Sequence, residues 1–314
     1  MNKKVFSEIE DVKFITQVPS ERITTLRLGA AVDLLEPQSL PGLIKALSVY
    51  ASENVPVRVL GAGSNVVLPD QPLKFPLLHL GRAFAMSVPC EQPANEMPQA
   101  DIEHLPNSDK FTFTAFSGVA LMSLSRKLCA AGYAGLEFAS GIPASIGGAI
   151  RMNAGAHNRA FGDVIESVLV ASATTGLNWV AAKDLKFAYR SSALTKDQVA
   201  VACHLSVQKG EISQIQEKRR EYLNYRSRTQ PLTLASAGSV FKNPPNYSAG
   251  ELLEKVGLKG YQEGGVMFSE MHANWLVKVD DSAQASHAEI LVEVAKRRVK
   301  DSFDVTLETE IQFW

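Results

Sequence analysis

Along this chain, stretches whose apolar residues recur every three or four positions alternate with short β-branched runs, a mixture that predicts both helices and strands. Residues 23–28 and 32–36 predict strands on either side of Gly29. Leu43, Ala46, Leu47 and Tyr50 then mark one face of a helix over 41–54, and VPVRVLGAGSN reads as an apolar strand running into a glycine turn. The pattern fades between 69 and 110, where prolines and polar residues predict an irregular surface insertion. A strand over 111–118 and a helix over 121–131 follow.

Residues 135–157, GLEFASGIPASIGGAIRMNAGAH, are dense in small residues and predict a succession of glycine turns rather than an ordinary helix. Strands are predicted over 164–174 and 199–207, and a charged helix over 212–225. A domain boundary falls near Gly210, because periodicity gives way soon after it to the Ser, Gly and Pro of SRTQPLTLASAGSVFKNPPN. The last hundred residues predict helices over 249–256 and 286–302, strands over 265–268 and 275–279, and a closing strand over 305–313.

Composition narrows the class. At 314 residues the chain is long enough for two or three domains, and 46% hydrophobic with 21% charged residues is ordinary for a globular protein. Neither a secretory leader nor an apolar run long enough for a bilayer is visible, so a cytoplasmic protein with no membrane insertion is expected. A formal net charge of −1 with scattered Lys and Arg argues against nucleic acid as a partner. Cys90, Cys129 and Cys203 fit neither a disulfide framework nor a metal knuckle and read as free thiols. The histidines (79, 104, 157, 204, 272 and 287) form no HxH or HxxxH pair, so no metal site is expected.

Two glycine segments are candidates for holding a dinucleotide. LGAGSN is not GxGxxG, and alone it fits a turn after a buried strand as well as a phosphate loop; GIPASIGGA offers a second set of backbone amides. In AGSVFKNP, Gly238 gives Ser239 backbone freedom, and that serine is either a turn residue or a proton donor. Arg190, after an aromatic in FAYRSSAL, is either a surface cation or part of a site. Glu308 and Glu310 would share a strand face, and burial of either carboxylate would mark a site.

The order of these motifs resembles the UDP-N-acetylenolpyruvoylglucosamine reductase (MurB) family. The likeness runs from TTLRLGAAVDLLEP through VRVLGAGSNVVL, GLEFASGIPASIGGAIRMNAGAH, FAYRSSAL, RSRTQPLTLASAGSVFKNP and AGELLEKVGLKGYQEGGVMFSEMHANWLV to LETEI. It covers nearly the whole chain apart from about residues 69–110, and looks like the shorter family type. It implies an α+β fold: a two-lobed FAD-binding domain of the vanillyl-alcohol-oxidase (PCMH) type, with lobes at 1–70 and 71–209, and a smaller C-terminal α+β substrate domain at 210–314 whose last strand returns to the FAD site. It implies FAD as cofactor, NADPH as hydride donor and a UDP-sugar as substrate, the protein acting as a monomer.

By the same resemblance Gly61, Ala62, Gly63, Ser64 and Asn65, with Gly141, Ile142, Ser145, Gly147 and Gly148, would hold FAD. Arg190, Ser239 and Glu310 match the family's catalytic trio, and Tyr189, Asn243 and His272 fall where the family meets the sugar nucleotide. The implied reaction reduces the enolpyruvyl ether to UDP-N-acetylmuramate for peptidoglycan. Arg190 and a protonated Glu310 would stabilise charge on the carbon and carboxylate next to the hydride acceptor, and Ser239 would deliver the proton. Ala144, His157 and Gln312 stand where the family tends to carry glycine, tyrosine and arginine, and the chain stops at Trp314 without a short glycine-led tail. Two other readings are an oxidase of an alcohol or sugar on the same fold, and a flavin or UDP-sugar binding protein without turnover.

Overall fold

The computed structural model describes residues 3–89 and 109–314. By its internal contacts the chain forms two compact units that do not follow chain order. The first comprises Met1–Thr16, Asp33–Ala62 and Lys74–Leu223; the second comprises Gln17–Val32, Gly63–Leu73 and Asn224–Trp314.

The first unit is built on a six-stranded sheet whose centre is the strand Val199–Lys209, paired antiparallel with Ile165–Ser172 on one side and Lys110–Phe116 on the other. Alternation sends Cys203, Leu205 and Val207 to a core shared with Phe113, Leu121, Leu128 and Ile146. Val201 and Ala202 instead face a second core with Leu43, Leu47 and Tyr50 of the helix Leu40–Ser52. Two successive residues can face the same side because the pairing with Ile165–Ser172 slips between Leu169 and Val170, a bulge that turns the strand over. A smaller sheet in this unit pairs Val32–Pro37, Leu77–His79 and Val59–Leu60 in parallel.

The helix Leu40–Ser52 begins where the sequence predicts. Ser39 accepts the Gly42 N–H at 3.1 Å, Pro41 lies in the first turn, and the apolar stripe is buried. The helices Leu121–Ala130, Ile212–Thr229, Ala249–Lys255 and Ala285–Phe303 also lie where the periodicity puts them.

Four expectations are corrected. Residues 23–28 form no strand: Ser20–Ile23 is a helical turn, and Leu26 and Leu28 are buried in the second unit's core. Apolar alternation there reflects anchoring, not pairing. Part of 69–110 is not surface insertion, since Leu77 and Leu78 are fully buried in the strand Leu77–His79. Residues 90–108, with Cys90 and His104, lie outside the described residues. The glycine-rich segment does contain a helix, Ile146–Met152, because its small residues are bracketed by a serine cap and by Asn153 in the left-handed conformation. The closing strand shrinks to Gln312–Phe313. Cys129 and Cys203 are buried, and burial raises the Cys129 thiol to about 11.

In the second unit, Gln312–Phe313 pairs in parallel with Val66–Val67. A four-stranded antiparallel sheet runs in the order Ser236–Ser239, Trp275–Lys278, Val266–Phe268, Gln262–Glu263. The helix Ala285–Phe303 buries Leu291, Val292, Ala295 and Val299 in a core with Leu252, Phe268 and Leu276. Asp70 caps that helix, accepting the Ala285 and Ser286 N–H groups at 2.7 and 3.0 Å.

Candidate active site

In the first unit the two glycine segments come together. A Cβ on Gly61 would stand 2.5 Å from the Ser145 hydroxyl, and one on Gly147 would stand 2.9 Å from the Ser117 Cβ. Only hydrogen at those Cα atoms lets the chains approach so closely. Ser145 caps the helix Ile146–Met152 by accepting the Gly148 N–H at 3.3 Å, which fixes its hydroxyl toward the glycines. Gly147 N–H donates to the Ser117 carbonyl and Leu121 N–H to that of Ala144, tying the segment to the sheet. Gly141 ends a 3-10 turn, and Ile142 N–H closes it on Ala139. Ala62, between Gly61 and Gly63, is exposed.

The same segment positions Arg190. Asn153 donates its amide to the Ala188 carbonyl at 2.9 Å while its Oδ1 accepts the Gly162 N–H at 2.9 Å. Arg151 Nη1 holds the Leu194 and Thr195 carbonyls at 2.9 and 2.8 Å, and Ser192 Oγ donates to the Arg151 carbonyl. Residues 188–191 form a tight turn in which Ala188 and Ser191 bond each other. Arg190 takes a φ of +56° there, a left-handed conformation that strains a side chain with a Cβ and marks a constrained position. Its guanidinium lies over the exposed Tyr189 ring, 5.1 Å from the centroid. The sequence did not single out Asn153 or Arg151, because the helix that Asn153 ends was itself unexpected.

The second unit gathers Gly63, Ser64, Asn65, Ser239 and Glu310. Gly63 is buried at a φ of +64°, and a Cβ there would fall 1.9 Å from the Ile23 carbonyl oxygen. Its own carbonyl accepts the Thr25 N–H at 3.1 Å. Ser64 presents its carbonyl 4.0 Å from where a Gly238 Cβ would be. Asn65 Nδ2 donates to the Glu310 carbonyl at 3.0 Å, and the Asn65 carbonyl accepts the Gln312 N–H. Gly238 has a φ of +75°, as expected for the turn that frees Ser239. Glu310 N–H donates to the Val240 carbonyl at 2.8 Å.

The two carboxylates expected on one strand face part company, because residues 308–310 are not a regular strand. Glu308 is exposed and paired with Lys242, whereas one carboxylate oxygen of Glu310 is shut from solvent. Asn243 is exposed and caps the helix Ala249–Lys255, its Oδ1 accepting the Ala249 N–H at 3.0 Å. His272 is half-buried. Burial holds its pKa below the ordinary histidine value, and its Nδ1 accepts the Asn274 N–H at 3.1 Å, which leaves the proton of the neutral ring on Nε2. Asn274 itself, buried and paired with Phe241 through both side-chain atoms, carried no sequence signal.

A family model described as the C-terminal domain of UDP-N-acetylenolpyruvoylglucosamine reductase matches residues 230–314, and one for an FAD binding domain matches residues 98–177. The chain is 34% identical over 303 residues to UDP-N-acetylenolpyruvoylglucosamine reductase 1 of Bacillus cereus, covering 96% of this chain and 94% of that protein. It is 31% identical over 316 residues to the reductase of Anoxybacillus flavithermus, covering 99% and 98%. Among solved structures it is similar to the UDP-N-acetylenolpyruvylglucosamine reductase of Thermus caldophilus, with a TM-score of 0.77 and 29% identity over 96% of this chain and 98% of that one. Among the described residues no helix is long and apolar enough to cross a membrane.

Proposed function

The chain belongs to the UDP-N-acetylenolpyruvoylglucosamine reductase family, and on that premise we propose that it uses NADPH and FAD to reduce the enolpyruvyl ether of UDP-N-acetylglucosamine enolpyruvate to UDP-N-acetylmuramate for peptidoglycan. The observation that carries the reading to particular residues is the Glu310 N–H bond to the Val240 carbonyl, which makes Glu310 the neighbour of the residue that follows Ser239.

FAD fits the residues present: Gly61 and Gly148 bring bare backbone against the capping Ser145 with no side chain to cover it, which supports these two loops as the cofactor's seat. Gly61, Ala62, Gly63, Ser64, Asn65, Gly141, Ile142, Ser145, Gly147 and Gly148 would hold it. When bound, FAD supplies a hydride carrier between NADPH and the terminal enolpyruvyl carbon. As the adjacent carbon and its carboxylate gain negative charge, the planar Arg190 guanidinium neutralises it with a fork of donors. Glu310, in its protonated form, adds a hydrogen bond to the same oxygen. The Ser239 hydroxyl gives its proton to the carbon that becomes saturated. Tyr189, Asn243 and His272 contact the sugar nucleotide. Residues 1–70 and 71–209 serve the cofactor and 210–314 the substrate. The protein acts as a cytoplasmic monomer on small molecules, without nucleic acid.

The test is direct. Purified protein is expected to be yellow, to release flavin on heating, and to consume NADPH only when the enolpyruvyl UDP-sugar is added. Colourless protein, or NADPH oxidation indifferent to that sugar, would overturn the reading.

A further inference from the structure

Ser239 is the last residue of a strand that changes partners. Residues 236–239 pair with the strand Trp275–Lys278, in the register Ser236 with Val277 and Ser239 with Trp275. Immediately afterwards the chain leaves that partner and pairs with 308–310. The Val240 carbonyl accepts the Glu310 N–H, Phe241 bridges to Thr309, and Lys242 N–H donates to the Glu308 carbonyl at 2.9 Å. The corner at Val240 and Phe241 is therefore where Ser239 ends one pairing and Glu310 begins the next.

One side chain holds that corner. Asn274 is 4% exposed, and its backbone carbonyl accepts the Val240 N–H at 2.9 Å. Its Oδ1 accepts the Phe241 N–H at 2.9 Å and its Nδ2 donates to the Phe241 carbonyl at 2.8 Å. Successive N–H groups of an extended strand point to opposite sides, so their capture by a single residue requires the chain to bend between them. The amide's orientation follows from the bonds, since only this one puts an acceptor before the N–H and a donor before the C=O. Asparagine thus stands in for a peptide group where the backbone ladder breaks. Behind it, His272 Nδ1 accepts the Asn274 N–H and fixes where the residue sits.

The geometry points to Asn274 as the positioning residue that sets Ser239 against Glu310 for proton delivery, without touching substrate itself. The inference rests on the reductase function proposed above. Displacing a proton donor by as little as an ångström is enough to cost about a hundredfold in rate.

Two half-reactions separate this role from general support of the fold. In the FAD-loaded Asn274→Ala protein, bleaching of the flavin by NADPH is expected at the wild-type rate, while its reoxidation by the enolpyruvyl UDP-sugar slows about a hundredfold with little change in KM. Asn274→Asp keeps the acceptor but loses the donor to the Phe241 carbonyl until its carboxyl is protonated. Its reoxidation rate, divided by the wild-type rate to remove the titration of His272 and the other groups both proteins share, is expected to recover as pH falls toward about 5. Equal slowing of both half-reactions, a flat pH ratio, or full activity in either variant overturns the inference; if Asn274→Ala does not fold, Asn274→Asp decides alone. Wild-type protein that never reoxidises with the enolpyruvyl sugar would instead sink the proposed function, and this inference with it.

Discussion

Gly61 approaches Ser145 so closely that a methyl group at Gly61 would sit 2.5 Å from the serine hydroxyl, which is itself occupied as the cap of Gly148. The φ of Gly61 lies outside the left-handed region, so the cost of a side chain there is contact, not backbone strain. Gly61→Ala is expected to fold but to hold FAD about tenfold more weakly, equivalent to about 1.4 kcal/mol. The ratio of flavin to protein absorbance after dialysis measures it, and wild-type flavin content would argue that these loops do not form the cofactor cradle.

Ser239→Ala separates binding from proton delivery. NADPH should still reduce the bound flavin, whereas reoxidation by the enolpyruvyl UDP-sugar should fall by at least about a hundredfold, the usual contribution of a positioned acid. Stopped-flow absorbance follows both steps. Unimpaired reoxidation would remove the serine from the mechanism.

His272 makes stability depend on pH. Burial lowers its pKa in the folded protein, so the unfolded chain binds its proton more readily. Stability from this residue is therefore full above the unfolded value of about 6.5 and declines as pH falls from there toward the folded value. His204 shifts the same way, also through burial, and adds to the effect. Thermal unfolding between neutral pH and about 5 should show a smaller decline in His272→Gln than in the wild type; parallel curves would count against it.

Asp70 ties the start of the helix Ala285–Phe303 to a segment far away in sequence. Burial pushes its carboxyl up, but the N–H bonds from Ser286 and Ala285 outweigh this and hold it below the ordinary aspartate value. Asp70→Ala is expected to destabilise by about 1 kcal/mol near neutral pH, as for the loss of a helix cap. The difference from wild type should be complete above about pH 4 and vanish as pH falls through the lowered value. Denaturant melts at several pH values test both the size and the direction.

Helical stripes were legible because they are local. Leu43, Ala46, Leu47 and Tyr50 repeat at the helical period whatever surrounds them and are buried as read, and the expected helix over 286–302 forms with Leu291, Val292, Ala295 and Val299 buried. The LGAGSN turn was legible, whereas the helix Ile146–Met152 inside the second glycine segment was not, and the order of motifs along the chain was legible as a family. The roles of single residues in the site were not, since Glu308 and Glu310 look alike in sequence and separate only when the chain near them proves irregular.

By itself, then, the sequence determined the long helices, which follow from periodicity, and through the order of its motifs the family, whose resemblance in turn implies the α+β class. Tertiary structure alone decided that Leu26 and Leu28 anchor a core without pairing, that Gly63 lies against Ile23, and that Asn274 grips the corner after Ser239. Each of these joins residues far apart along the chain. No local pattern encodes such a meeting, because it depends on where distant backbone groups come to rest once the cores have closed.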